Sequence, residues 1–111
     1  MNTQDQIVRV AVVEDHTLLN QALVMMLKQE PRVVVAFHAE NGAEFLSKLT
    51  QEKIDVVLLD LNMPIMDGKE TLQILRENFP DIKVIILSMY DDPWIVSEMM
   101  REGAQSFLKK N

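Results

Sequence analysis

The chain has 111 residues, of which 48% are hydrophobic, so its length and composition suit one domain with a core of its own. It contains no cysteine, which excludes disulfides and thiolate metal sites and fits a reducing cytoplasm. The formal net charge is -6 and the basic residues are scattered, so we do not expect this segment to bind nucleic acid by itself. The polar N-terminus and the lack of a long apolar run predict neither a signal peptide nor a membrane span.

Short apolar runs rich in β-branched residues alternate along the chain with segments of helical spacing. The predicted strands cover residues 7–13, 33–37, 54–59, 84–87 and 106–109. The predicted helices cover residues 17–29, 43–50, 69–78 and 93–102. Strand–helix alternation of this kind predicts an α/β fold with a doubly wound parallel sheet and right-handed crossovers. For five strands we expect the flavodoxin-like order 2-1-3-4-5, whose switch point lies between strands one and three.

Carboxylates follow the two strands that would be neighbours at this switch point. Asp60 ends a buried apolar run, and the pair Glu14-Asp15 follows the first strand. Because the carboxyl ends of parallel strands meet at one edge of a sheet, we expect the three acids to converge. Their repulsion would raise at least one pKa, and a hard divalent cation would remove that penalty. Oxygen ligands without a histidine or cysteine cluster predict Mg²⁺.

Ser88 follows the fourth strand and Lys110 the fifth, so both should reach the same edge. A transferred phosphoryl group needs a cation, a positive side chain and a hydrogen-bond donor around it, and a metal-bound carboxylate can be its nucleophile. Each residue also has an ordinary explanation, as a solvated lysine, a loop serine or an acidic pair that caps a helix. Their arrival at one edge from separate strands favours aspartyl-phosphate chemistry, with Asp60 as the acceptor.

Together these motifs resemble the receiver domain of bacterial two-component response regulators, over essentially the whole chain. The motifs are Glu14-Asp15, the segment 59–68 (LDLNMPIMDG), Ser88, and Gly103-Ala104 leading to Phe107 and Lys110. The resemblance implies a phosphorylation-activated signalling switch rather than an enzyme. Only self-directed phosphoryl transfer and slow self-dephosphorylation would then be expected of it.

The resemblance also implies a role for each site residue. Asp60 resembles the phosphoacceptor, which takes a phosphoryl group from the phosphohistidine of a sensor histidine kinase. The implied Mg²⁺ ligands are Asp15, Asp60 and the backbone carbonyl of Asn62, with Glu14 acting through water. The implied phosphoryl-binding and switch residues are Ser88, Phe107 and Lys110, the last preferred to Lys109 because it stands three residues after the switch aromatic.

The end of the chain departs from the family pattern. Residues 1–111 would be a receiver domain truncated after the fifth strand, with the family's last helix absent. Without that helix we expect apolar surface to be exposed. Our hypothesis is that the domain is excised from a longer chain or that it associates through the uncovered face. Glu14 also stands where the family more often has Asp, and its longer side chain should still reach a metal-bound water.

The segments 15–16 and 87–92 resemble receivers that are joined to LuxR-type helix-turn-helix domains. This implies a cytoplasmic transcription regulator whose DNA-binding half is not in this chain. Expected contacts are a sensor kinase and a homodimer or output-domain interface through the fourth helix and fifth strand. Two alternatives remain: a phosphate-independent interaction module, and an aspartyl-nucleophile phosphatase. The phosphatase would need a second acid where this chain has Asn62.

Overall fold

The computed structural model describes residues 6–63, 66–90 and 92–110. Along the chain these residues form β1 (Val8–Val13), α1 (Thr17–Lys28), β2 (Val33–Ala39), α2 (Gly42–Leu49), β3 (Val56–Asp60), α3 (Gly68–Asn78), β4 (Lys83–Ser88), α4 (Pro93–Arg101) and β5 (Ser106–Lys109). All nine predicted elements are present. Within the described ranges, no helix is long and apolar enough to cross a membrane.

The five strands form one parallel sheet in the order β2-β1-β3-β4-β5, which confirms the predicted fold. β2 runs further than predicted because its last residues still pair with Val12 and Val13. β3 begins later than predicted, at Val56; just before it, Asp55 exchanges hydrogen bonds with the backbone of Arg9, one of them through its side chain. These shifts leave the carboxyl ends of the strands at one edge, as expected.

The main core lies between one face of the sheet and the helices α2, α3 and α4. Its fully buried side chains include Val57, Leu59 and Ile86 from the strands and Phe45, Leu72 and Met99 from the helices. No residue of α1 belongs to this cluster as the structure describes it. The β1–β2 connection crosses the sheet in the opposite direction to the other three, so right-handed crossovers place α1 on the other face.

Apolar surface is exposed on the α1 side of the sheet. On α1 itself, Leu18 is 73% exposed and Met25 66% exposed. Leu108 of β5 is 49% exposed, and it must lie on this face because its neighbour Phe107 packs against the main core. This part of the surface is therefore apolar in places, and the expected truncation after the fifth strand stays a prediction. Whether a second copy or an output domain contacts this face stays a prediction.

Gly103 ends α4 with a φ of +107°, a conformation that L side chains rarely adopt. A Cβ atom there would also meet the side chain of Arg76, whose Nη1 donates to the carbonyl oxygen of Glu102 at 2.7 Å. We predict that Gly103→Ala lowers the free energy of unfolding by about 1–3 kcal/mol. Urea denaturation would measure the loss. The control Gln105→Ala, at an exposed position, should stay within about 0.5 kcal/mol of wild type, and equal losses would contradict the prediction.

Candidate functional site

The carboxyl ends of β1 and β3 lie side by side because these strands are neighbours in the sheet. Glu14 directly follows β1, and Asp60 is the last residue of β3. One carboxylate oxygen from each of Glu14, Asp15 and Asp60 lies within 4.8 Å of the others. Glu14 and Asp60 are buried, whereas Asp15 is exposed. The three acids therefore converge as their positions at the strand ends predicted.

Lys110 reaches this acid cluster from the end of β5. Its Nζ lies 2.8 Å from Glu14 Oε1 and 3.0 Å from Asp60 Oδ1, and its side chain is largely buried. Its backbone N–H donates to the carbonyl oxygen of Ser88 at 2.6 Å, which ties the residue to the end of β4. The neighbouring Lys109 is the last residue of β5 and is exposed. Lys110 is thus the lysine that the acid cluster contacts.

Burial raises the pKa of Asp60 from its ordinary value of 3.8 to about 7, and the negative charge of Glu14 adds to the rise. The hydrogen bond from Lys110 acts in the opposite direction but does not cancel the effect of burial. Burial alone would lower the pKa of Lys110, but the hydrogen bonds to Glu14 and Asp60 outweigh it and raise that pKa. The lysine therefore stays charged at neutral pH, and the acids around it outnumber it.

The acid cluster fits a hard divalent cation. Asp60 Oδ2 is buried and has no hydrogen-bond partner among the residues that the structure describes. The three acids together offer the oxygen ligands that Mg²⁺ accepts. The loop after β3 bends back toward them, because the backbone N–H of Asn62 donates to Asp60 Oδ1 at 3.3 Å. Asn62 and the acids line one cavity of about 810 Å³, whose other lining residues include Leu18, Met89 and Tyr90.

Residues 10–111 match the response regulator receiver domain family. The chain belongs to this family. The signal receiver domain of the response regulator NarL from Mycobacterium tuberculosis is 35% identical to it, with a TM-score of 0.88 over 96% of this chain and 86% of that chain. A LuxR-family DNA-binding response regulator from Staphylococcus aureus is 25% identical, with a TM-score of 0.85 over 93% of this chain and 86% of that chain.

A third similar structure is the CheX-CheY complex with BeF₃ and Mg²⁺ from Borrelia burgdorferi. The matching chain of that complex is 27% identical, with a TM-score of 0.91 over 100% of this chain and 84% of that chain. These similarities confirm the resemblance to receiver domains, including those of LuxR-family regulators. The receiver domain spans about half the length of the curated relatives it matches. The transcriptional regulatory protein NarL, for example, is 36% identical over 99% of this chain, which corresponds to 51% of NarL.

Asn20 fixes the acidic loop, which follows β1 and carries Glu14 and Asp15. This role of Asn20 was not predicted from the sequence. It is the buried residue of α1, and its Nδ2 donates to the carbonyl oxygens of Glu14 at 2.8 Å and Ala39 at 3.0 Å. The amide thereby joins the backbone beside the acids to the end of β2. A signal was available, because Asn20 is a polar residue four positions before Val24 on the half-buried side of an apolar helix.

Gly68 holds the other loop of the site, the one that leads from Asp60 to α3. Its N–H donates to the carbonyl oxygen of Leu61 at 2.9 Å. A Cβ atom on Gly68 would meet the Leu61 Cα at 2.7 Å and the backbone carbonyl oxygen of Asp60. Only glycine therefore lets the start of α3 approach the backbone of Asp60 this closely.

Ser88 and Phe107, the two other expected switch residues, lie beside the cavity rather than in its lining. Ser88 is fully buried, and its Oγ accepts a hydrogen bond from the backbone N–H of Tyr90 at 3.0 Å. Within the described ranges, no hydrogen bond joins Ser88 to Asp60. Phe107 is half-buried, packs against the main core and pairs in register with Ile86 of β4. Their roles in switching stay predictions.

Proposed function

We propose that this receiver domain accepts a phosphoryl group on Asp60, with Mg²⁺ held by Asp15, Asp60 and the backbone carbonyl of Asn62 and by Glu14 through water. The observation that carries the proposal is the state of the Asp60 carboxylate. It is buried, its pKa is raised to about 7, and its Oδ2 has no partner among the described residues. Buried carboxylates that serve only the fold usually have their oxygens satisfied.

The transfer would be a nucleophilic displacement at phosphorus. A carboxylate oxygen of Asp60 forms the new O–P bond while the N–P bond of a phosphohistidine breaks, and the bonding electrons return to the imidazole nitrogen. When bound, Mg²⁺ supplies positive charge that favours the ionised carboxylate and neutralises phosphoryl oxygens. The presence of BeF₃ and Mg²⁺ in the Borrelia burgdorferi complex supports this assignment. Lys110 Nζ, 3.0 Å from Asp60 Oδ1, holds a second positive charge where a phosphoryl oxygen would arrive.

Ser88 and Phe107 form the proposed route from the site to the surface. The Ser88 hydroxyl would turn to donate to a phosphoryl oxygen, which would release the N–H of Tyr90 and open space beside β4. Phe107 would then turn inward to fill that space, and the surface of α4 and β5 would change. A bias of about 5.5 kcal/mol moves a two-state population from 1:99 to 99:1, and a smaller bias of a few kcal/mol already shifts it substantially.

The proposed phosphodonor is a sensor histidine kinase, and the proposed location of this receiver domain is the cytoplasm. We assign transcription control to a longer parent regulator, of which residues 1–111 would be the receiver domain. Support comes from the LuxR-family relatives and from the half-length match. The surface of α4 and β5 is the proposed contact for a second copy or an output domain. Trp94 of α4, which is 67% exposed, lies on an element of that surface.

Treatment with acetyl phosphate tests the proposal directly. With Mg²⁺, intact-mass spectrometry should show one added phosphoryl group, and peptide mapping should place it on Asp60. Removing Mg²⁺ with a chelator should abolish the addition, because two ligand acids would then repel the incoming group. The variant Asp60→Asn should take up none.

Asp67→Asn is the matched control, because it neutralises an exposed acid in the connection between Asp60 and α3. The asparagine side chain can still accept the cap hydrogen bond that the backbone N–H of Glu70 donates. It should be modified as fully as wild type. Modification of Asp60→Asn at the same level would show that the acceptor assignment is wrong. A chain that binds Mg²⁺ but takes no phosphoryl group would instead be a phosphate-independent interaction module.

A further inference from the structure

The β2–α2 turn, residues 39–42, contacts the acidic loop that follows β1. The backbone N–H of Glu14 donates to the carbonyl oxygen of Ala39 at 3.0 Å. Asn20 donates to that same carbonyl and to the carbonyl of Glu14, and it is only 3% exposed. Hydrogen bonds shielded from water in this way hold their geometry firmly. The end of β2 therefore fixes the backbone that presents Glu14 and Asp15.

The other end of the turn contacts the connection that runs from Asp60 to α3. The N–H of Gly42, the first residue of α2, donates to the carbonyl oxygen of Met66 at 3.2 Å. A Cβ atom on Gly42 would meet Thr71 Oγ1, and it would also lie 3.1 Å from the Met66 carbonyl oxygen. Thr71 is fully buried, and its Oγ1 donates to the Asp67 carbonyl oxygen at 2.7 Å. The threonine therefore has little room to move aside.

We propose that residues 39–42 are a positioning turn that sets the separation between the two loops carrying the Mg²⁺ ligands. Its positioning residues are Gly42, within the turn, and Asn20 of α1, which donates to Ala39 at its start. The proposal rests on the proposed function, since it concerns the same metal site. The turn is short, and hydrogen bonds fix both of its ends, Ala39 to Glu14 and Gly42 to Met66, so a displacement at either end is passed to the other. Mg²⁺ demands near-ideal octahedral geometry, so a small change in this separation weakens binding. Neither positioning residue is itself a proposed ligand.

Gly42→Ala tests the proposal, because its methyl group must push α3 and the Asp60 loop away from α2. Because binding stabilises the folded chain by RT ln(1 + [Mg²⁺]/Kd), the Mg²⁺ concentration needed for a given rise in melting temperature should increase roughly 10-fold, as for other residues that support metal ligands. The rate of phosphorylation by acetyl phosphate, measured against Mg²⁺ concentration, should show the same shift. The rate at saturating Mg²⁺ should fall by a smaller factor, since the acceptor and Lys110 remain in place.

Changes at Thr71 separate this mechanism from general destabilisation. Thr71→Ala in the Gly42→Ala background removes the atom that the new methyl group meets, and it should restore the Mg²⁺ dependence of Thr71→Ala alone. Thr71→Val keeps a methyl group in place of the hydroxyl, so it should not restore the Mg²⁺ dependence. If Gly42→Ala does not fold, Asn20→Ala tests the other end of the turn, with the same expected shift.

Two results would overturn the inference while the proposed function stands. One is wild-type Mg²⁺ dependence in folded Gly42→Ala or Asn20→Ala. The other is equal recovery of the Gly42→Ala chain by Thr71→Ala and Thr71→Val. A wild-type chain that shows no Mg²⁺-dependent stabilisation and takes no phosphoryl group would refute the proposed function, and the positioning turn with it.

Discussion

Replacing Lys110 with methionine should destabilise the metal-free receiver domain by about 3 kcal/mol at neutral pH, because removing one partner of a buried ion pair leaves the other charges uncompensated. Here the abandoned groups are two acids, Glu14 and Asp60, which are 0% and 1% exposed. Methionine keeps most of the volume of the lysine stem, so the loss would reflect charge rather than packing. Urea denaturation in a chelating buffer would measure it.

The pH dependence of this loss follows from the two pKa shifts. The pKa of Lys110 is raised in the folded chain, so the lysine stays charged below its ordinary value of 10.5, and its own titration does not reduce its contribution there. The penalty of the variant should shrink as the pH falls through about 7, where Asp60 takes up a proton. Lys109→Met is the matched control, since it removes the same charge from an exposed neighbour, and it should cost less than about 1 kcal/mol. Equal losses in the two variants would contradict the ion-pair explanation.

Asp60→Asn should have the opposite effect and stabilise the metal-free domain by about 1–3 kcal/mol at pH 8. A pKa raised from 3.8 to about 7 means that the folded chain disfavours the ionised carboxylate. At 1.36 kcal/mol per unit, this shift sets an upper limit of about 4 kcal/mol on the gain. The attraction of Lys110 is already included in this shift, and the amide of asparagine must still be desolvated, which makes the net gain smaller.

The sign of this effect can be checked across pH. Because the folded pKa is raised, the cost of ionising Asp60 is absent below 3.8, grows between 3.8 and about 7, and is complete above that range. The advantage of Asp60→Asn over wild type should therefore vanish near pH 4. Adding Mg²⁺ should also narrow it, because only the wild type is stabilised by binding the metal. An advantage that persists unchanged at pH 4 would point to packing rather than charge.

Most of the fold could be predicted from the sequence, because the strands are apolar on both faces and the connections are short. Such strands read clearly as buried parallel strands, and the handedness of their crossovers leaves few possible strand orders. The irregular pairing of β2 could not be predicted. Val10 pairs with Val35 but Ala11 pairs with Phe37, so Ala36 is an extra residue in the ladder. Nothing in a run of similar apolar residues marks which of them will be left out.

The acids and Lys110 of the candidate site could also be predicted, because their positions at the ends of strands place them at one edge. The residues that fix the loops after β1 and β3 could not be predicted. Asn20 contacts Ala39, and Gly42 approaches Thr71, and each contact joins segments that are distant in sequence. Both contacts depend on how the helices pack against the sheet. A glycine before a helix predicts a turn, but it does not reveal which side chain the missing Cβ makes room for.

The polar contacts between α3 and α4 have a consequence for how α4 can move. Lys69 pairs with Glu98 at 3.3 Å, and Arg76 donates to the carbonyl oxygen of Glu102 at 2.7 Å, so one contact lies in the C-terminal half of α4 and the other at its C-cap residue. At the N-terminal end, Asp92 makes no side-chain cap hydrogen bond within the described part of the chain. We expect a helix held in this way to tilt about its C-terminal end when the surface of α4 and β5 changes. The largest displacement is then expected at Trp94, near the N-terminal end of α4. Because Trp94 is the single tryptophan of the chain, its fluorescence should report on the tilt of α4.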